Sequence, residues 1–294
     1  MITYLVTQAH AYTMKVWLDG YGKHLAARIR ILTYEQLFAE RRLPLSGCVI
    51  FSDLDRLTAE AKTALAGLHD RLREAAPGTT LLNHPLDSLL RYDLLRELHA
   101  CGINSFNAYR MRDRMIPQRF PAFLRRESGF EHEPMPLVTD RAQAEAGFLH
   151  MQMKHGSLED GLFVEYCETA DGMGLYRKFG AFVVGDCIVP RHVFFSRKWM
   201  VKIPDLEWPE LLAEELAYIE TNPHAAPLLD ICRRARIQYG RIDYAFMGDR
   251  LQIWEINTNP MVVNDTGSGD PRAAVHRRFT ELVSTAFDGV DRDA

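Results

Sequence analysis

Three oxygen-bearing side chains near the C-terminal end stand at a spacing that suits a cation. In GRIDYAFMGDRLQIWEINTNP, two β-like runs flank a turn at Gly248-Asp249; Asp243 lies on the first run, Glu255 and Asn257 on the second. Side chains alternate along a strand, so Glu255 and Asn257 share a face, as do Arg241 and Asp243 on theirs. If the hairpin register pairs the two sets, two carboxylates and an amide oxygen converge beside a guanidinium. Mg²⁺ on a triphosphate requires such a set, because hard cations take carboxylate and amide oxygens and keep waters and phosphates as remaining ligands. Singly, each residue reads as an ordinary polar residue on a solvent face. Together they read as a site: Glu255 sits between Trp254 and Ile256, in a run too apolar for full exposure, and Asn257-Thr258-Asn259-Pro260 closes it as a sharp loop.

The elements that must position these residues form an α/β chain, with an α+β character in the C-terminal part. From 1 to about 84, the apolar runs ITYLV, IRIL, GCVIF and TTLLN alternate with helical stretches, including TAEAKTALAGLHDRLREA, which is a βαβ pattern. Leu86 to Cys101 reads as an amphipathic helix stopped by Gly102, followed by the strand-like PAFLRR and a helix over roughly 140–154. Next come LFVEYC, KFGAFVV and CIVPRHVFF, the last two joined at the hairpin signal Gly185-Asp186. Two helices follow over about 209–236, then the C-terminal hairpin and a terminal helix from about Pro271. This organisation divides into 1–84, 85–164 and 165–294.

The chain has 294 residues, 47% hydrophobic and 25% charged, with a net charge of −4, enough for a sizeable core and without the basic excess of a nucleic-acid or anionic-membrane binder. Five cysteines without C-x-x-C spacing, each in an apolar or periodic stretch, read as buried free thiols in a reducing cytoplasm. The N-terminus shows no secretory leader, and no apolar run is long enough for a bilayer span. No Ser-His-Asp or Cys-His constellation stands out. His10, His24, His69, His84 and His276 read as structural or surface residues.

The C-terminal string resembles the last two core strands of ATP-grasp enzymes, especially the D-alanine-D-alanine ligase branch. The resemblance implies an ATP-grasp fold behind an N-terminal open α/β domain, with a small subdomain over 85–164 and the metal site in 165–294. It implies Asp243, Glu255 and Asn257 as Mg²⁺ ligands, and Arg241 as the cation steadying the transferred phosphate or a tetrahedral intermediate. Arg91, eleven residues before Gly102, and Arg125, four after Pro121, fall where the family has its two phosphate-holding lysines. Arginine holds phosphate bidentately but is bulkier than lysine. The family's glycine-rich flap is reduced to Ser128-Gly129, so closure falls to a short loop or to the 132–136 segment.

LFVEYCET is similar to the family's adenine-binding hinge, which places Glu165, Tyr166 and Cys167 against the base and Glu168 toward the ribose. Lys178 stands where an acidic ribose ligand is common, so Arg177 or Lys178 is expected on phosphate instead. Arg191 and His192 on the partner strand are candidates for the cleft face, and Lys198, in Ser196-Arg197-Lys198, for the γ-phosphate. The resemblance implies ATP and Mg²⁺ as cofactors and a ligase joining a small carboxylate to an amine through an acyl phosphate. A homodimer remains open, and neither nucleic acid nor membrane is expected. Rival expectations are a kinase acting on a hydroxyl and a degenerate ATP-binding protein. The serine loop and the His-Gly and acidic features of D-alanine-D-alanine ligases are not visible, so no substrate is assigned. In an open sheet, ligands meet the carboxyl ends of strands, which points to the Gln8–Tyr12 loop.

Overall fold

The computed structural model describes residues 1–40, 47–128, 137–263 and 269–292. The first sheet is parallel, ordered β2-β1-β3-β4, from β1 (Ile2–Val6), β2 (Ile29–Thr33), β3 (Cys48–Phe51) and β4 (Thr80–Leu82). All five β1 residues are buried because helices cover both faces. On one face Leu5, Val49 and Phe51 meet Leu37 of α2 (Tyr34–Glu40) and Leu65 and Leu72 of α3 (Ala59–Ala75). Thr58 caps α3, its hydroxyl accepting from the Ala61 amide at 3.2 Å. On the other face Ile2, Tyr4 and Ile50 meet Trp17 of α1 (Tyr12–Asp19) and residues from much further along the chain.

The second sheet, ordered β5-β8-β6-β7, is antiparallel and joins β5 (Ala108–Arg110), β6 (Ala122–Arg126), β7 (Leu137–Val138) and β8 (Gly161–Glu165). The helix α5 (Arg141–His155) lies close against it at Gly147, where a Cβ would stand 3.0 Å from Leu124 and 3.2 Å from Phe163. The helix α4 (Arg91–Ala100) bridges to the third sheet: Leu95 packs with Phe106 and Val164, Leu94 and Leu98 with Ile242 and Ile256. It starts five residues later than the sequence suggested, because His84 accepts the Leu86 and Asp87 amides and holds that stretch as a turn.

The third sheet, ordered β10-β9-β11-β12, consists of β9 (Tyr176–Val184), β10 (Cys187–Ser196), β11 (Tyr239–Met247) and β12 (Arg250–Asn257). Its two tight turns place Gly185 and Gly248 at φ +62° and +59°, the left-handed region that glycine tolerates. One face carries Ala181, Val183, Ile242, Tyr244 and Ile253 against Leu228, Ile231 and Cys232 of α7 (Ala225–Ala235). Behind β10, α6 (Pro209–Thr221) contributes Tyr218 and Ile219. The terminal helix α8 (Ala273–Arg292) returns to the first sheet, packing Phe279, Val283 and Phe287 against Tyr4, Trp17 and Tyr239. No helix among the described residues is long and apolar enough to cross a membrane.

The cysteine expectation needs correction. Cys48, Cys167 and Cys232 are buried, but Cys101 and Cys187 are exposed. Cys101 follows the last turn of α4 and Cys187 opens β10 just after a turn, so local periodicity misread two element ends as interior.

Candidate functional site

The second face of the third sheet carries charge. Pairing of β11 with β12 sets Asp243 opposite Glu255 and Arg241 opposite Asn257, so all four side chains share that face. A bulge follows Asp243 and leaves Trp254 without a cross-strand partner. Trp254 and Glu255 therefore both line one cleft, although simple alternation would send them to opposite faces.

Each carboxylate is gripped by two cations. Arg241 donates to both oxygens of Asp243, from Nε at 2.6 Å and Nη2 at 3.0 Å, and Lys178 Nζ lies 2.8 Å from Asp243 Oδ2. Arg91, the first residue of α4, donates to Glu255 Oε2 from Nε at 3.0 Å and from Nη2, and Arg125 Nη2 joins at 3.1 Å. Arg91 is further anchored by the Arg126 and Glu127 carbonyls. Burial would raise the Glu255 carboxyl, but Arg91 and Arg125 overcome it and hold the group far below the usual carboxylate range. Asp243 behaves likewise: burial acts upward, and Arg241 and Lys178 bring it down. Burial, with Arg91 second, lowers Arg125 to about 10.

A cleft with a cavity volume of about 160 Å³ lies between the second and third sheets. Its polar end holds Arg125, Lys178, Asp243 and Glu255, and its other end is lined by Leu95, Phe106, Phe123, Val164, Tyr166, Cys167, Trp199 and Trp254. The aromatic rings form two walls, Phe106 with Trp254 at 4.9 Å and Phe123 with Trp199 at 5.1 Å between centroids. A flat apolar group fits between such walls, with an anionic tail at the charged end.

No protein-family model and no curated protein matches the sequence. Solved structures do match. A D-alanine–D-alanine ligase from Bacillus anthracis complexed with ATP aligns over all of both chains at 11% identity and a TM-score of 0.57. D-cycloserine synthetase DcsG aligns over 98% of this chain and all of its own at 17% identity and 0.52. The ATP-grasp ligase PsnB, complexed with a minimal precursor, aligns over 96% of this chain and 98% of its own at 11% identity and 0.53. The chain has the ATP-grasp fold. At these identities the likeness speaks for architecture, and the chemistry must come from the residues of this chain.

Within this ATP-grasp fold, Asp243, Glu255, Asn257, Arg241, Arg91, Arg125 and Lys178 come together at the charged end. Asn257 Oδ1 accepts from the Asn259 amide at 2.8 Å and keeps a second lone pair. Two carboxylates and an amide oxygen on paired strands fit Mg²⁺, and the surrounding cations fit phosphate. Tyr166 and Cys167 line the cleft; Glu168 lies behind them, accepting from the Tyr166 and Tyr176 hydroxyls at 2.8 and 3.2 Å.

Two expected residues point elsewhere. Glu165 is buried on the far side of β8, where it accepts from Tyr109 Oη at 2.8 Å, the Asn107 amide at 3.1 Å and Arg119 Nη2 at 2.7 Å. Strand alternation from Tyr166 gives this outcome. Lys198 stands outside the cleft, its amide donating to Ser196 Oγ at 2.9 Å, while Trp199, Met200, Val201 and Lys202 of the same loop line it. Arg177 reaches the cleft wall but pairs with Glu214 at 2.7 Å and Asp171 at 2.6 Å. Gly129 and the 132–136 segment lie outside the described residues. Sequence reading missed Phe123, Trp199, Trp254 and Lys202; the signal for Trp254 was the bulge, which single-strand alternation cannot show.

Proposed function

We propose that the protein is a Mg-ATP-dependent ligase that activates a carboxylate as an acyl phosphate and passes the acyl group to an amine. The carrying observation is the Asp243–Glu255 pair held by four cations at the charged end of an aromatic-walled cleft.

In this reading Phe106, Trp254, Phe123 and Trp199 would take the adenine ring, with the Tyr166–Cys167 segment available to its edge. Arg91 and Arg125 exchange Glu255 for phosphate oxygens, so the site trades one set of ion pairs for another and need not desolvate bare charges. Mg²⁺ on Asp243, Glu255 and Asn257 supplies neutralisation of the phosphate charge. A substrate carboxylate oxygen attacks the γ-phosphorus, the bond to the β-γ bridging oxygen breaks, and ADP leaves. An amine nitrogen then attacks the acyl carbon, the C–O bond to phosphate breaks, and the amine gives up a proton. Arg241, fixed by both oxygens of Asp243, would supply the positive charge that stabilises the oxyanion of the second step. Lys202 rather than Lys198 takes the γ-phosphate role, because it lines the cleft.

Incubation with Mg-ATP, a panel of small carboxylates and hydroxylamine tests this. The expected result is ADP release with a hydroxamate formed from one class of carboxylate. ADP release with phosphate retained on a hydroxyl compound, or nucleotide binding with no turnover across the panel, would contradict the ligase reading.

A further inference from the structure

On the charged face of the third sheet, two strands away from Asp243, a second polar cluster takes no part in the steps above. The pairing Asp243–Gly180–His192 runs directly across β11, β9 and β10, so His192 stands about 10 Å from Asp243 at the usual strand spacing. The β10–β9 register slips between Pro190 and His192 and leaves Arg191 as the extra residue of a bulge, a device that re-aims side chains beside sites. Both residues face the Asp243 side. A Cβ at Gly180 would stand 2.5 Å from the His192 ring, and Arg191 lies 4.9 Å over the Phe279 ring, which packs on Phe182 of that face.

Arg191 is 7% exposed and makes no ion pair among the described residues. Its Nε donates to the Val262 carbonyl at 2.8 Å, and its Nη1 is buried without a hydrogen-bond partner. Of the two carboxylates near it, Glu215 is already taken by Arg272 from Nε at 3.0 Å and from Nη2 and by the Val193 amide at 3.2 Å, and Asp270 accepts from the Arg272 amide at 2.8 Å and pairs with His276 at 3.1 Å. His192 is 2% exposed, stacked on Phe194 with centroids 3.9 Å apart, and its Nε2 is also buried without a partner. An unmatched Arg191 Nη1 on a full positive charge is costly in a protein interior and, beside a His192 ring nitrogen that can donate in its Nε2–H tautomer, calls for a missing partner that accepts hydrogen bonds and carries negative charge. A carboxylate meets both needs, and a guanidinium holds it in a fixed geometry.

We propose that Arg191 and His192 bind a carboxylate of the substrate other than the one phosphorylated, so that the ligase acts on a dicarboxylate or on an acidic amino acid. This rests on the ligase reading: Asp243 and Glu255 fix where the reacting carboxylate sits, and Arg191 fixes the second anchor across two strands. A dicarboxylate of four or five carbons, extended by the side chains that meet it, spans that interval.

The test measures melting temperature for wild type, Arg191→Met and Arg191→Lys with succinate, glutarate, L-glutamate, butyrate and inorganic phosphate, each alone and with Mg-ATP. Wild type is expected to gain several degrees with one or more dicarboxylates, less with phosphate, and nothing with the monocarboxylate butyrate. Arg191→Met is expected to lose that gain, to melt at or above wild type without ligand because the unmatched charge is gone, and to keep its Mg-ATP shift. Arg191→Lys should keep part of the dicarboxylate gain. No dicarboxylate shift in wild type, an equal shift with butyrate, or an unchanged shift in Arg191→Met would overturn the proposal, and so would an Arg191→Met protein that is destabilised but still responds. Loss of the Mg-ATP shift in wild type would instead overturn the nucleotide reading, so the two failures are distinguishable.

Discussion

Glu255→Gln removes one charge from the centre of the site, and the consequence can be worked from the contacts. The carboxylate is 15% exposed, and its partners Arg91 and Arg125 are 11% and 24% exposed, so the cluster lies between a surface pair and a buried one. Removing one partner of a fully buried ion pair costs about 3–5 kcal/mol, whereas exposed pairs are worth about 0–1 kcal/mol. Glutamine keeps a carbonyl that accepts one of the three hydrogen bonds, returning about 1 kcal/mol. Arg91 also stays anchored by the Arg126 and Glu127 carbonyls. A net loss of about 2–3 kcal/mol follows, which at roughly 2–4 °C per kcal/mol for large domains is a fall of about 4–12 °C in Tm. The assay is thermal melting of both proteins without nucleotide or metal. Four cations then face Asp243 alone, so metal-free ATP should stabilise the variant at least as well as wild type, while added Mg²⁺ should bring little more. A variant that melts within 1 °C of wild type, or above it, would refute the claim that Glu255 is the counter-ion of Arg91 and Arg125.

Further outcomes follow from the same structure. Ellman's reagent at pH 8 should modify Cys101 and Cys187 in the native protein and spare Cys48 and Cys232, whose thiols burial pushes up to about 12; equal rates for all four would contradict the described burial. Because Asp243 and Glu255 are held below their unfolded values, their contribution is fully present above the unfolded carboxylate pKa of about 4 and is lost as pH falls below it. Tm should therefore drop below about pH 4.5, less steeply in Glu255→Gln, and parallel acid limbs would contradict this. Asn259 Oδ1 accepts from Tyr4 Oη at 2.7 Å and Thr13 Oγ1 at 2.6 Å, tying the loop after β12 to the first sheet. The Thr13 hydroxyl can turn to the His10 carbonyl at 3.0 Å, so Asn259→Ala should cost about 1–3 kcal/mol in urea unfolding, chiefly by leaving the Tyr4 hydroxyl unpaired, and a loss under about 0.5 kcal/mol would contradict it.

Sequence pattern carried the elements whose periodicity is complete within one stretch. The four runs of the first sheet, the hairpin turns at Gly185 and Gly248, and the two helices before β11 all lie close to where alternation and turn residues put them. The trio Asp243, Glu255 and Asn257 was legible as oxygen ligands on two adjacent strands, but the tight turn alone would pair Asp243 with Trp254, and only the bulge after Asp243 brings it opposite Glu255. Cross-chain features were not legible from pattern. The bulge that turns Trp254 into the cleft and the bulge that exposes Arg191 to the charged face both depend on a partner strand. Glu165 shows the opposite case, because alternation from Tyr166 already assigns it to the far face, and the motif carried over by resemblance outweighed that reading. Lys198 and Lys202 lie four residues apart in one loop, and only the loop's path over the cleft separates them.

The central claim is that this cleft holds ATP through Mg²⁺ on Asp243, Glu255 and Asn257. Isothermal titration of the wild-type protein with a non-hydrolysable ATP analogue, in Mg²⁺ and again in EDTA, tests it most directly, with Asp243→Asn titrated alongside. The account predicts saturable one-site binding in Mg²⁺ that weakens at least tenfold in EDTA and in Asp243→Asn. Absence of heat at millimolar nucleotide, or binding indifferent to both Mg²⁺ and Asp243, would contradict it.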